Sequence, residues 1–229
     1  GDTIRVSLTE DPVEEIPVAI SLARLAEKVR AQKAAAQKPE GVDFYSYSRR
    51  ECRTIELGGL RIGSRAVPAA ASLGKSDCAD FCVENGGARL KGGGKIEIRK
   101  YGAGDSEKLL ADAARVSALA AQVETGDLAG LSEALKRAEN VILIAPAPTE
   151  GRHAVGEARM FAATLRELGI SAPIWLKFDK SLAVSPGAGE MSALGEASIY
   201  IGSLMADGIG DVALSLIHIS EPTRHLRIS

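Results

Sequence analysis

Hydrophobic and polar positions alternate at the start of the chain and then change to a helical spacing. In residues 3–8 (TIRVSL) every second side chain is apolar, which predicts a strand with one buried face. Over residues 12–36 the apolar side chains recur every three or four positions, which predicts a helix. Thr9 or Asp11 can cap this helix, and Pro12 suits its first position. Together the two elements predict one β–α unit, the building block of parallel sheets and barrels.

The later part of the chain repeats this change of pattern. Helical spacing predicts helices over residues 106–122, 128–137 and 149–168. Apolar runs and alternation predict strands over residues 54–57, 66–70, 95–100, 140–145, 172–178, 197–202 and 212–214. Strands and helices that alternate with short connections favour a barrel-like or an open parallel sheet.

A glycine-rich basic stretch, GGARLKGGGKIEIRKYGAG, occupies residues 86–104. Glycine loops with a lysine can hold phosphate, but the phosphate-loop spacing G-x-x-x-x-G-K-[ST] is not met, because Ile96 follows Lys95. We therefore favour a hairpin turn that leads into the strand at residues 95–100 over a phosphate loop.

Composition excludes several classes of function. The chain has 229 residues, 45% of them hydrophobic and 25% charged, with a net charge of −2. Such a chain can bury one large core or two modest ones. Lysine and arginine are spread along the sequence, which argues against nucleic acid as a partner. No apolar run approaches the roughly 20 residues of a membrane helix, so a membrane is not expected as a partner either.

Cysteine and histidine are scarce. Cys52, Cys78 and Cys82 are too few and too unevenly placed for a disulfide framework, which favours a reducing compartment. Cys78 and Cys82 have an approximate metal-ligand spacing, but a second pair is missing. We therefore predict no metal site in this chain.

Both ends of the sequence look unusual. A strand at the very start, without a neighbour before it, suggests that earlier parts of a domain are missing. The final stretch LSLIHISEPTRHLRIS continues none of the preceding patterns and resembles the translation of sequencing-adapter read-through. We expect residues 215–229 to be a non-native tail.

Residues 37–51 are polar, contain Pro39 and Gly41, and predict a boundary between domains.

Three stretches point to a known family: GDTIRVSLTEDPVEE at residues 1–15, YSYSRRECRTIELGG at 45–59 and GSLMADGIGDVAL at 202–214. The family that they resemble is hydroxymethylbutenyl diphosphate synthase, an iron–sulfur enzyme of isoprenoid biosynthesis by the methylerythritol phosphate pathway. The first stretch is similar to the end of its catalytic barrel. The second and third resemble the large form of the family, which carries an inserted domain. The resemblance implies an α/β fold: residues 1–38 end a TIM-type barrel, and residues 39–214 form an inserted barrel-like domain.

The resemblance also implies a substrate and its anchor. The family reductively opens 2-C-methyl-D-erythritol 2,4-cyclodiphosphate to 4-hydroxy-3-methylbut-2-enyl diphosphate. Arg5 and Ser7 lie two positions apart, so on a strand both side chains project to one side. A guanidinium and a hydroxyl at the end of a barrel strand suit a diphosphate, and we predict that these two residues bind it. No catalytic residue is predicted in this chain.

The family carries a 4Fe–4S cluster, held by three cysteines and a glutamate of a C-terminal domain. Cys52, Cys78 and Cys82 do not match those ligand positions, so we expect the ligands to be absent from this chain and the chain alone to be inactive. For the intact enzyme the resemblance implies an electron donor such as ferredoxin or flavodoxin, a homodimer and a cytoplasmic location in a bacterium.

Two other interpretations remain open. The chain could be an autonomous α/β module that binds a phosphorylated small molecule through Arg5, Ser7 and the loop 207–211, or a scaffold only. A polar group formed by Glu150, Arg152, His153 and Glu157 follows the strand at 140–145 and could serve acid–base chemistry. A solvated helix start is the favoured explanation of that group.

Overall fold

A computed structural model describes residues 3–7, 11–31, 48–73, 76, 79–84, 86–147, 153–178 and 195–215. The strands of these residues are β1 (Ile55–Leu57), β2 (Leu60–Ile62), β3 (Ala69–Leu73), β4 (Phe81–Glu84), β5 (Gly87–Leu90), β6 (Lys95–Lys100), β7 (Ala118–Gln122), β8 (Val141–Ile144), β9 (Ile174–Phe178) and β10 (Val212–Ser215). The helices are α1 (Pro12–Ala31), α2 (Ser106–Ala113), α3 (Leu128–Arg137), α4 (Ala154–Glu167) and α5 (Ser203–Ala206), with a 3-10 turn at Thr125–Asp127 and a π-helical segment at Ser198–Gly202.

Eight strands close into a barrel in the order β10-β3-β4-β5-β6-β7-β8-β9. Neighbouring strands run parallel, except that β5 is antiparallel to both β4 and β6. Helices α2, α3 and α4 connect β6, β7, β8 and β9, whereas tight turns join β4, β5 and β6. The predicted barrel-like α/β architecture is therefore confirmed, with one reversed strand, β5, that forms a hairpin with β6.

Two apolar layers hold the barrel together. Side chains of one parity fill the lumen, where the rings of Phe81 and Trp175 meet edge to face with centroids 5.1 Å apart. Side chains of the other parity, such as Leu119, Leu143 and Leu176, face outward and pack against the helices. Because the strand period is two, each strand serves both layers, and this explains why β8 is buried along its whole length.

The hairpin β1–β2 closes the amino end of the lumen. Its side chains Ile55, Leu57 and Ile62 belong to the same buried cluster as the lumen residues. The turn of this hairpin presses on the β5–β6 turn: a Cβ on Gly58 would lie 1.9 Å from the carbonyl oxygen of Gly93. Gly58 also has a φ of +56°, so glycine is required there for both reasons.

Strand β7 corrects the prediction of one long helix over residues 106–122. Helix α2 ends at Ala113, and Ala118–Gln122 instead forms a central strand, paired with β6 and β8. Ala118 and Ala120 point into the lumen, where their small side chains leave room for Phe81 and Trp175. Alanine favours a helix intrinsically, and here tertiary packing overrides that preference.

The prediction of a strand over residues 197–202 is also wrong. Ser198–Gly202 is π-helical and leads directly into α5. Its apolar side chains serve helix packing: Tyr200 is fully buried, and its ring lies 5.8 Å from that of Phe178. A short apolar run fits a buried strand and a buried helical turn equally well, so its pattern could not separate the two.

The first residues do not form the predicted strand. Residues 3–7 have no strand pairing, and Ile4 is 53% exposed. The barrel of this chain is closed and so offers no edge to which another strand could be added. The predicted helix does form, as α1, and Asp11 caps it by accepting a hydrogen bond from the backbone N–H of Val13 at 2.9 Å. Predicted helical residues 32–36 and the loop at 182–194 lie outside the described residues.

Candidate functional site

A segment at residues 48–53 crosses the amino end of the barrel, and its arginines bind main-chain carbonyl groups there. Arg50 donates to the carbonyl oxygens of Ile170 and Ala172 at 2.8 and 2.9 Å. Arg53 donates to those of Leu135 and Ala138, both at 2.6 Å. The planar fork of arginine suits such paired acceptors. These contacts satisfy carbonyl groups at the end of α3 and before β9, so the segment fastens the connections from α3 to β8 and from α4 to β9 to the amino end of the barrel.

Asp211 is the centre of the charged contacts at this end. Its buried carboxylate receives hydrogen bonds from the Arg49 guanidinium at 3.2 Å, from the Cys52 thiol at 3.3 Å and from the backbone N–H of Ile174 at 2.9 Å. Its main chain also links two strands, since its N–H donates to Ile174 and its carbonyl accepts from Ala69. One residue thus joins the strap of residues 48–53 to β3, β9 and β10.

The loop 207–211 lies before β10, at the amino end of the barrel. Asp207 pairs with Arg159 of α4 at 2.6 Å, and Asp211 pairs with Arg49. Gly208 has a φ of +76°, and a Cβ there would lie 2.6 Å from the Cα of Arg49. Carboxylates that already neutralise two arginines do not suit a phosphate, so the structure gives this loop a fastening role in place of the anion site considered above.

The cysteines are not brought together. The Cys52 sulfur accepts a hydrogen bond from the backbone N–H of Ser64 at 2.9 Å, and burial followed by the Asp211 carboxylate raises the pKa of this thiol to about 11. Cys82 lies on β4 and contacts the Ser72 hydroxyl at 3.6 Å. Cys78 lies outside the described residues. Among the residues the structure describes, no three histidine, cysteine or acidic side chains are grouped for a metal ion.

A second charged cluster links β6 to α2 on the outside of the barrel. The buried Asp112 accepts from the Tyr101 hydroxyl at 2.8 Å and pairs with Arg99 at 2.5 Å. The hydrogen bond from Tyr101 lowers the pKa of Asp112, while burial and this carboxylate raise the pKa of Tyr101. Both side chains point away from the lumen, so we assign the cluster to holding the helix on the sheet.

Arg5 and Ser7, the predicted diphosphate ligands, are both exposed to solvent. The contacts above involve neither residue. Their binding role therefore stays a prediction about the intact enzyme.

Of the four polar residues considered for acid–base chemistry, the two that the structure describes, His153 and Glu157, lie at the start of helix α4. His153 is the N-cap of α4, and its Nδ1 atom accepts a hydrogen bond from the N–H of Gly156 at 3.0 Å. Glu157 lies in the first helical turn, where a carboxylate suits the helix dipole. Glu150 and Arg152 lie outside the described residues.

The glycine-rich stretch is a hairpin, as predicted. Strands β5 and β6 pair antiparallel, with Arg89 opposite Lys95, and the glycines 92–94 lie in the turn between them. Within the parts of the chain given above, no helix is long and apolar enough to cross a membrane.

Two curated relatives match part of the chain. The 4-hydroxy-3-methylbut-2-en-1-yl diphosphate synthase (flavodoxin) of Chlorobaculum tepidum is 33% identical over 97 residues, which cover 35% of this chain and 13% of the relative. The protein of the same name from Porphyromonas gingivalis is 42% identical over 73 residues, which cover 31% of this chain and 12% of the relative. No model of a known family matches, and no solved structure matches.

The chain is therefore similar to this synthase over about a third of its own length and spans only 13% and 12% of the two relatives. The arginines at positions 49, 50 and 53 and the carboxylate of Asp211 both fall in stretches that the sequence singled out by resemblance. Their structural roles were not predicted, because hydrogen bonds to carbonyl groups distant in sequence leave no local pattern.

Proposed function

We propose that this chain is part of a hydroxymethylbutenyl diphosphate synthase of the large form, in which its closed barrel is the inserted domain. The partial similarity to two such synthases, at 33% and 42% identity, carries this proposal. The opening stretch GDTIRVSLTEDPVEE supports it, because it matches the end of the catalytic barrel in that family. The intact enzyme would reductively open the cyclodiphosphate in isoprenoid biosynthesis, and this chain alone would be inactive.

Helix α1 supports the division at about residue 38. Val13, Ile16 and Ile20 recur at helical spacing and are 67%, 59% and 45% exposed. An apolar stripe of this kind is typical of a helix that covers a sheet. We propose that α1 is the last helix of the catalytic barrel and that its stripe packs on that barrel in the intact enzyme.

Arg5 and Ser7 precede α1, and we propose that they bind the substrate's diphosphate. A guanidinium can donate two parallel hydrogen bonds to phosphate oxygens, and a hydroxyl can donate a third. The exposure of both side chains leaves them accessible to such a ligand. Their role is to bind and orient the diphosphate.

The described cysteines do not fit an iron–sulfur cluster. A cysteine that holds a cluster must be a thiolate, whereas the Cys52 thiol has a pKa raised to about 11 and is engaged by Asp211 and Ser64. Cys82 lies on β4 and contacts Ser72, whereas Cys52 lies on the strap and contacts Asp211 and Ser64. We propose that the 4Fe–4S cluster of the intact enzyme is held by residues outside this chain. A flavodoxin as electron donor is supported by the names of both relatives, and a homodimer stays part of the proposal.

We propose a spacing role for the closed barrel, between the catalytic barrel and the cluster domain. Arginine contacts at its amino end fasten the incoming strap of residues 48–53, and Asp211 ties the same strap to the last strand, β10. Entry and exit of the chain are thereby held next to each other, which suits a domain inserted into another.

A chimera tests the proposal. Residues 1–214 of this chain would replace the matching region of the Porphyromonas gingivalis synthase, and the purified holoenzyme would be assayed for ring opening. We expect activity, and in the chimera we expect Arg5→Ala to lower kcat/KM by about 100-fold, because a charged contact to the diphosphate is lost. Arg61→Ala, at an exposed position of β2, is the matched control and should change kcat/KM less than twofold. A folded, cluster-loaded chimera without activity would contradict the proposal.

A further inference from the structure

Helix α1 carries apolar side chains on two opposite faces. Val13, Ile16 and Ile20 form the exposed stripe. Val18 and Leu22 belong to a second face and are half-buried. Leu22 lies about two and a half helical turns after Val13, so these two side chains project to opposite sides of the helix. A helix at the surface of one domain needs a single apolar face, and a second one indicates a second packing partner.

The closed barrel covers the half-buried face of α1. The most extensive contact of α1 with another described element is with the π-helical segment Ser198–Gly202, which lies between β9 and β10. The side chains of α1 that this contact removes from water are the half-buried ones, since the opposite stripe is exposed. One apolar face of the helix therefore has its partner within this chain, and the other does not.

The π-helical segment offers an apolar surface for this contact. Tyr200 is fully buried, while Ile199 and Ile201 on either side of it are half-buried at the edge of the outer apolar layer. π-helical turns are rare and occur mostly at functional positions. Here the turn anchors one residue in the core and leaves its two isoleucine neighbours at the surface.

A contact at this place fixes what the strap leaves free. The strap of residues 48–53 is bound at the amino end of the closed barrel, where the N–H of Arg50 donates to the carbonyl oxygen of Gly208. Two domains that are joined through one segment move relative to each other unless a further interface holds them. The π-helical segment supplies a separate point of attachment, because it lies before α5, whereas Gly208 lies after that helix.

We propose that α1 is a joint between two barrels, and that the π-helical segment Ser198–Gly202 is the surface on which the closed barrel receives it. The half-buried face of α1 packs on Ile199 and Ile201, and the opposite stripe packs on the catalytic barrel. The two barrels are thereby held in one orientation, which a spacing domain requires. The inference rests on the proposed function for its outer partner, whereas the contact between α1 and the closed barrel belongs to this chain alone.

Hydrogen–deuterium exchange of the full chain tests the inner contact. Leu22→Glu places a charge on the half-buried face of α1, and Ile20→Glu places the same charge on the exposed stripe. Glutamate favours a helix at both positions, so a difference between the variants reports packing. A helix released from its packing is marginal in water, so Leu22→Glu should raise the exchange rate of the α1 amides about tenfold. Ile20→Glu should change it less than about twofold. Equal rates in the two variants would overturn the proposal.

A variant of the closed barrel tests the same contact from the other side. Ile199→Ser/Ile201→Ser should also raise the exchange rate of the α1 amides, whereas Ser198→Ala, at an exposed position of the segment, should leave it unchanged. Thermal unfolding checks that the barrel of each variant is folded. If the double variant fails to fold, the pair Leu22→Glu and Ile20→Glu decides the question, because both changes lie outside the barrel.

The chimera with the Porphyromonas gingivalis synthase tests the outer contact. There the catalytic barrel covers the stripe, so Ile20→Glu should now raise the exchange rate of the α1 amides about tenfold. An active chimera in which Ile20→Glu leaves this rate unchanged would overturn the joint and leave the proposed function standing. A chimera without activity contradicts the proposed function, and the exchange of the chain alone then decides whether α1 docks on the closed barrel.

Discussion

The Asp211 carboxylate lies 3.2 Å from the Arg49 guanidinium, and this pair joins the strap of residues 48–53 to the last strand of the barrel. Asp211 is 4% exposed and also receives the N–H of Ile174. Removal of such a carboxylate leaves a guanidinium and a buried N–H without their acceptor.

Asp211→Ala should therefore lower the free energy of unfolding by about 3 kcal/mol. Urea denaturation at neutral pH measures the change. Glu133→Ala, at a side chain that is 82% exposed, serves as the control and should stay within about 0.5 kcal/mol of the unchanged chain. Equal stabilities for the two variants would show that Asp211 does not fasten the barrel.

Arg53 offers a second test of the strap. Arg53→Ala removes both hydrogen bonds to the carbonyl oxygens of Leu135 and Ala138 and should cost about 2 kcal/mol of unfolding free energy. Arg53→Lys keeps a charge but loses the fork, so it should recover only part of that loss. The measurement is again urea denaturation. Full recovery by lysine would indicate that charge alone, and not the paired geometry, matters.

The Cys52 thiol makes the free energy of unfolding depend on pH. Its pKa is raised to about 11, first by burial and then by Asp211, against 9.0 for an ordinary thiol. Between these two values the folded state keeps a proton that the unfolded state has lost. The contribution of Cys52 to stability is therefore complete below pH 9 and is lost as the pH rises towards 11.

A comparison with Cys52→Ser isolates this contribution, because serine does not titrate in that range. Between pH 8 and pH 10.5 the unchanged chain should lose about 1 kcal/mol more unfolding free energy than the serine variant, after allowance for partial exposure of the thiol. Parallel losses in the two proteins would contradict the raised pKa.

The small side chains of β7 predict intolerance to added volume. Ala120→Leu places a larger side chain in the lumen beside Phe81 and Trp175, and should lower stability by about 1–3 kcal/mol. Ala129→Leu adds the same atoms at an exposed position of α3 and should be nearly neutral. Thermal unfolding of both variants measures the difference. If residues 118–122 were helical, as the sequence alone predicts, Ala120 would not point into the lumen, and Ala120→Leu should then be tolerated as well as Ala129→Leu.

The contrast between β7 and β8 shows how far the sequence could lead. The run VILI of β8 is rich in β-branched side chains, and its strand was predicted correctly. The run ALAAQ of β7 is rich in a helix former, and its strand was missed because the demand for small lumen residues comes from strands elsewhere in the chain. Strands β4 and β5 were missed as well, since short strands beside glycines carry a weak pattern.

The candidate sites divide in the same way. The exposed Arg5 and Ser7 were chosen from a motif, and their role stays a prediction. The contacts of Arg53 and Asp211 could not have been predicted, because the groups that they bind are distant in sequence and only the folded barrel brings them together. Local patterns thus predicted most helices and strands, whereas chemistry that depends on strand order required the structure.

The central claim is that this chain is part of a larger synthase, and the sequence of its source DNA on both sides of this reading frame tests it most directly. We predict the strands of a catalytic barrel upstream of Gly1. Downstream, in place of the stretch that begins at Ser215, we predict a domain with three cysteine ligands and a glutamate. A stop codon directly after Ser229, or flanking domains unrelated to an iron–sulfur enzyme, would contradict the claim.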